Sequence, residues 1–129
     1  YIERSFRAVC RAIDYFSQTS ENIFLPIKPT YAYDLAILSD LSGIDLLMKV
    51  KVIETESKAP SGNYVVNLRK SGGYANSKEV KADFDPSMCD ILFVISPDGA
   101  YLIPSSVVTQ KRAISLSMFS EFKIKSDPS

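Results

Sequence analysis

The stretch that most constrains this chain is YDLAILSDLSGIDLLMKVK, running from Tyr33 to Lys51. Two apolar runs flank the polar turn Asp40-Leu41-Ser42-Gly43. They read as two β-strands, Tyr31 to Ser39 and about Ile44 to Glu54, folded against one another. Side chains alternate along a strand, so Lys49 and Lys51 share one face while Met48, Val50 and Val52 take the other. Asp34 falls early in the first strand and the two lysines late in the second. Three charged groups therefore stand on otherwise apolar strands, where each needs a partner, a metal or solvent to offset desolvation.

At 129 residues with 46% hydrophobic content, the chain is expected to be one domain, 1–129, with a core of its own. No run of about 18 apolar residues suggests a membrane span. No charged-then-apolar leader is visible, so the expectation is a cytoplasmic, intracellular protein. Cys10 and Cys89 are expected to be buried free thiols in apolar surroundings. Histidine is absent, which excludes histidine bases, the familiar triads and the common zinc sites. Catalysis would have to use carboxylates, lysines, tyrosines or a metal held by oxygen. The net charge of zero argues against a uniformly basic nucleic-acid binder. Basic residues nonetheless cluster locally: Arg69, Lys70, Lys78 and Lys81 in one segment, Lys111, Arg112, Lys123 and Lys125 in another. Each cluster suits either a phosphate-contacting face or plain solvated charge.

Upstream, Ile2, Phe6, Val9, Ile13 and Phe16 recur at helical spacing and predict an amphipathic helix over 2–18. Glu3 falls at its start, where the helix dipole favours an acid. Ile23 to Ile27 reads as a short edge strand because Pro26 cannot donate to a ladder. After a turn-rich loop, Asn63 to Lys70 forms the next strand, and Gly72-Gly73-Tyr74 a loop tip. Short helical turns are expected at 77–80 and 85–88. Asp90 to Ser96 is a buried strand, turned by Pro97-Asp98-Gly99 into a returning strand, Tyr101 to Pro104. A helical turn after Ser105, a short strand from Ala113 to Leu116 and a frayed tail over 121–129 complete the chain. The layout predicts an α+β (α/β) domain with a mixed central β-sheet flanked by helices.

Metal-assisted phosphodiester cleavage needs carboxylates to hold a hard divalent cation and a cation near water and phosphate. Asp34, with Glu3, and Lys51 supply those groups. Tyr33-Asp34-Leu35, followed at fifteen positions by Lys49-Val50-Lys51, resembles the core of PD-(D/E)XK nucleases. The resemblance is closest to the group I intron-encoded homing endonucleases with Gln in the middle motif. It extends over Glu3 on the opening helix, Pro26 and the hairpin of Asp90 to Val94 with Tyr101 to Pro104.

The resemblance implies a restriction-endonuclease-like core and a site-specific endonuclease that hydrolyses double-stranded DNA with Mg²⁺ or Mn²⁺. It further implies a homo-oligomer, dimer or tetramer, active in intron homing. Asp34 and Glu3 take the positions of metal ligands, and Lys51 that of the catalytic lysine. Lys49 stands where the family has Glu, Asp or Gln. A protonated lysine offers no lone pair and repels a metal. Lys49 thus either inactivates the site or replaces the metal with an internal cation paired to Asp34. Asp45 shares its face, about 13 Å away. Candidate DNA contacts are Lys58, Arg69, Lys70, Tyr74 and Lys78. The alternative readings are a catalytically inactive DNA-binding module of the same fold, and a structural domain whose Asp34–Lys49–Lys51 cluster is an ion-pair network.

Overall fold

The alternating residues 35–54 build the hairpin at the centre of the molecule. In the computed structural model, which describes residues 2–19, 22–28, 33–41, 44–68 and 84–124, β2 (Leu35–Leu41) and β3 (Ile44–Glu54) pair antiparallel. Side chains at 2–5, 19, 39–41 and 44–45 lie outside that description. β1 (Asn22–Phe24) joins the outer side of β2 as an edge strand, shorter than the one expected over Ile23 to Ile27, because it ends before Leu25 and Pro26. On the other side β3 pairs in parallel with β5 (Ile91–Ser96), which turns at Gly99 into antiparallel β6 (Gly99–Pro104). The order β1-β2-β3-β5-β6 makes one five-stranded mixed sheet. The mixed α+β architecture is as the sequence predicts.

The helix α1 (Ile2–Thr19) covers one face of this sheet. Ala8, Ala12 and Phe16, spaced at four residues, are its buried side chains, and they pack with Leu35, Ile37, Val50, Val52, Ile91, Phe93 and Ile95. The buried stripe is rotated from the predicted one. Phe6 is 62% exposed, and alanines at the contact let the helix approach the sheet closely. Cys10 is likewise exposed, which corrects the expectation of a buried thiol; Cys89 is buried, and both are free.

A smaller layer covers part of the opposite face. β4 (Val65–Asn67) pairs antiparallel with β7 (Ala113–Ser115) in a separate two-stranded sheet. With the 3₁₀ helix Leu116–Phe122, they bring Val66, Leu68, Ile114, Leu116 and Phe119 into one cluster with Leu92, Val94, Tyr101 and Ile103. The strand expected over 63–70 is shorter than its apolar pattern suggested and finds its partner in β7. The helical turn expected at 85–88 is a 3₁₀ turn, Pro86–Met88, capped by the Asp85 carboxylate on the Ser87 amide at 2.9 Å. The turn expected at 77–80 lies outside the described residues.

Fraying does not start at Glu121. The 3₁₀ helix runs to Phe122, Lys123 bridges to Tyr101, and the Ile124 amide donates to the Ala100 carbonyl at 2.8 Å. Residues 125–129 lie outside the description. Among the described residues no helix is long and apolar enough to cross a membrane.

Candidate functional site

Strand β3 changes partners in mid-course. Residues 44–50 pair with β2 and residues 50–54 with β5, so Val50 has Leu35 on one side and Ile91 on the other. The sheet forks at this level, since both neighbouring strands begin there. Each is preceded by an aspartate that finishes the hydrogen bonding its strand leaves open. The Asp34 amide donates to the Val50 carbonyl at 2.8 Å, and Asp34 Oδ2 accepts the Val52 amide at 2.7 Å. On the opposite edge the Asp90 amide donates to the Lys49 carbonyl at 2.8 Å, and Asp90 Oδ2 accepts the Lys49 amide at 2.7 Å. Two charge-assisted bonds of this kind fix the backbone of 49–52 from both sides.

Val50 and Val52 point beneath α1, so the alternation sends Lys49 and Lys51 to the other face. Lys51 Nζ lies 3.5 Å from Asp34 Oδ2, with the two side chains 15% and 24% exposed. Lys51 stands beside Leu92 in the register, next to the apolar cluster under β4 and β7. Lys49 has a different neighbour: its ammonium sits over the Tyr33 ring, 5.7 Å from the centroid. Among the described residues the ion pair of Asp34 is therefore with Lys51, and the alternative pairing with Lys49 is not formed.

On the Lys49 face a recess of about 270 Å³ is lined by Phe24, Leu25, Pro26, Tyr33, Ala36 and Leu47. A second groove, of about 370 Å³, lies between α1 and the β5–β6 hairpin, lined by Cys10, Arg11, Asp14, Tyr15 and Phe93 among others. It contains none of the predicted site residues.

The fold thus brings Asp34, Lys49 and Lys51 together. Glu3 is on the first turn of α1, and its side chain, like that of Asp45, lies outside the description. Lys58 is exposed, its ammonium 5.1 Å from the Tyr64 ring centroid. Arg69, Lys70, Tyr74 and Lys78 lie outside the described residues. Asp90 is the site residue that sequence reasoning missed. Its signal was present: Cys89-Asp90-Ile91-Leu92 repeats the pattern of Tyr33-Asp34-Leu35-Ala36, an aspartate immediately before an apolar strand.

Among the described residues no three His, Cys, Asp or Glu side chains converge on one point. Among the described residues the fork holds two carboxylates, Asp34 and Asp90, one on each edge of β3, and two ammonium groups, and only Asp34 is ion-paired with a fork lysine, Lys51. Hard divalent cations take six or more oxygen ligands, several from carboxylates or water. The described donors by themselves do not fit Mg²⁺ or Mn²⁺.

No family model matches the chain, and no curated protein does. Among solved structures it is similar to a bacterial homing endonuclease, I-Ssp6803I, at 22% identity and a TM-score of 0.66, over 94% of this chain and 76% of that one. At this identity the likeness is one of fold, and the mixed five-stranded sheet with its covering helix is homing-endonuclease-like in architecture.

Proposed function

We propose that this chain is a site-specific, double-stranded-DNA endonuclease of homing type whose hydrolytic fork is held inactive by Lys49. The observation that carries the reading is the Asp34–Lys51 pair, 3.5 Å apart at the fork, on a fold shared with a homing endonuclease. Asp34 is fixed by the Val52 amide, so its carboxylate is pre-positioned. Lys51 is a compact cation able to orient a water or hold a phosphate oxygen. Lys49 adds a second ammonium on the same face. It suits a phosphate and opposes a divalent cation. The metal ligands expected from the sequence, Asp34 and Glu3, reduce to Asp34 among the described residues. Two symmetry-related copies of such a site would meet the two strands of a duplex together, which is the ground for proposing a homo-oligomer, dimer or tetramer. Lys58, Arg69, Lys70, Tyr74 and Lys78 remain the proposed DNA contacts.

The test is a nicking assay on large mixed genomic DNA with Mg²⁺ or Mn²⁺, comparing the parent, Lys49→Gln and Lys49→Gln combined with Asp34→Ala. The expected result is salt-dependent binding without cutting by the parent, cutting by Lys49→Gln, and none by the double variant. The second reading, a DNA-binding module without hydrolysis, is favoured by two lysines on one face and by the lack, among the described residues, of three converging ligand side chains. Binding with silence from Lys49→Gln selects it. Absence of binding by every protein removes both readings.

A further inference from the structure

The recess beside Lys49 has a character that hydrolysis does not use. Among the described residues its walls are Phe24, Leu25, Pro26, Tyr33, Ala36 and Leu47, none of them charged. Three of these are open to solvent, Phe24 at 49%, Leu25 at 56% and Leu47 at 60%. A concave apolar surface of this kind on a soluble protein marks a binding site more often than bare exposure does. At about 270 Å³ it falls just short of the ~300 Å³ at which pockets for drug-sized ligands begin. It has room for a single ring system.

Lys49 forms the charged rim. Ala36 is its direct partner across the β2–β3 pair, Leu47 precedes it by two positions on the same face, and its ammonium lies over Tyr33. One surface therefore offers two aromatic rings and an apolar floor, with a cation at its edge. That division matches a nucleotide, whose base has a flat π-face and whose phosphate is an anion. A second copy of the chain docked about a two-fold axis through the recess would bring Lys49 against its own equivalent, which the like charges oppose.

We propose that this recess receives one unstacked nucleobase of a bound DNA strand, against Phe24 and Tyr33, with the adjoining phosphate on the Lys49 ammonium. The inference rests on the DNA-binding reading above and deepens it. It gives the site face a place for a strand that has left the duplex, beside the Asp34–Lys51 pair.

The experiment uses the full chain and two short single strands of mixed sequence, one carrying the fluorescent base 2-aminopurine at its centre and one abasic over the same central positions. The parent is expected to change the emission of 2-aminopurine and to bind the base-bearing strand about tenfold more tightly than the abasic strand, as stacking on an aromatic residue provides. Phe24→Ala removes that difference and leaves affinity for the abasic strand unchanged. Because Phe24 is half exposed, the substitution is compatible with folding, and circular dichroism checks this. Lys49→Gln weakens binding of both strands alike and lowers the salt dependence by about one phosphate contact. Equal affinity of the parent for the two strands overturns the base recess while leaving DNA binding intact. Self-association that Phe24→Ala abolishes, seen by sedimentation, also overturns it by assigning the recess to a protein partner. Failure to bind either strand, together with failure to bind the genomic duplex of the nicking assay, removes the DNA reading itself, a result separable from the other two.

Discussion

Asp34 and Lys51 face each other where β2 opens away from β3, Oδ2 to Nζ at 3.5 Å, and the same carboxylate oxygen accepts the Val52 amide at 2.7 Å. One side chain thereby ends a strand ladder and places a charge. A further turn of β2 would have offered Val52 a backbone carbonyl. The carboxylate takes that place and holds the ammonium as well.

Replacing Asp34 tests how the two roles divide. Asp34→Ala leaves the Val52 amide without its acceptor and the mostly buried Lys51 without a counter-charge, and is expected to cost about 1–3 kcal/mol. Asp34→Asn keeps an oxygen for the amide and loses the charge, so its cost is smaller. Urea unfolding midpoints at neutral pH measure both. An Asn variant as unstable as the Ala variant would show that the amide bond contributes nothing.

Asp90 makes the matching bond on the other edge, to the Lys49 amide. It is exposed, so water replaces it at modest cost, about 1 kcal/mol in Asp90→Ala. The sharper readout is local. Hydrogen exchange at the Lys49 amide is expected to speed up by about tenfold, with the Val52 amide unaffected. Equal acceleration at both would mean that Asp90 supports the whole fork.

At the far end of the sheet, the hairpin turn carries a titrating group. Asp98 accepts hydrogen bonds from the Ser96 hydroxyl and from the Tyr101 hydroxyl at 3.2 Å, with Lys123 Nζ 4.0 Å away. The Ser96 bond, first among these causes, holds its carboxyl below the usual value of 3.8. A folded value below the unfolded one adds stability above the unfolded value and loses it as pH falls through the folded value. Parent and Asp98→Asn are therefore expected to differ at pH 7 and to converge towards pH 2. Tyr101 shows the opposite displacement: burial first, then the Asp98 charge, raises its hydroxyl above 10.0. That contribution is complete below the unfolded value and is lost as pH rises through the raised one. Urea midpoints across pH decide both, and a gap that stays constant towards pH 2 would contradict the Asp98 assignment.

Two glycines separate backbone strain from crowding. Gly99 has φ 136° and a Cβ there would meet Lys123 Cε at 2.9 Å, whereas Gly62 has φ 94° with open space around it. Both substitutions to Ala are strained, by about 1–3 kcal/mol. Gly99→Ala is expected to be the costlier, since the Lys123 stem must also move. Thermal melts of the two variants compare them directly. A larger loss at Gly62 would show that the lysine yields freely.

Local pattern carried much of this fold. The 3.6-residue period of α1, the alternation of β2 and β3 and the Pro97-Asp98-Gly99 turn are each written within a few neighbouring positions. Lys49 and Lys51 were legible for the same reason: the period of two sets their face without knowledge of the rest, whereas Asp34, expected early in the first strand, stands at a bend just before it. What escaped depends on distant pairing. Val65 to Asn67 reads as a strand, but nothing local says that Val66 sits opposite Ile114 in a separate sheet. The significance of Asp90 needs the parallel register of Val50 with Ile91, which no periodicity encodes. The buried line of α1 shifted because small alanines, rather than the larger Phe6, admit the closest approach to the sheet.

The change of partner at Val50 also predicts an order of assembly. Its antiparallel partner Leu35 lies fifteen positions earlier in the chain, while its parallel partner Ile91 lies forty-one positions later. Closing the longer loop costs more chain entropy, and contacts distant in sequence form more slowly. A growing chain therefore reaches the β2–β3 hairpin first, with the Asp34–Lys51 pair already able to form, and must wait for β5 before Asp90 can clamp the Lys49 amide. On that expectation the Lys49 edge of the fork is completed only when β5, from the far half of the chain, has docked.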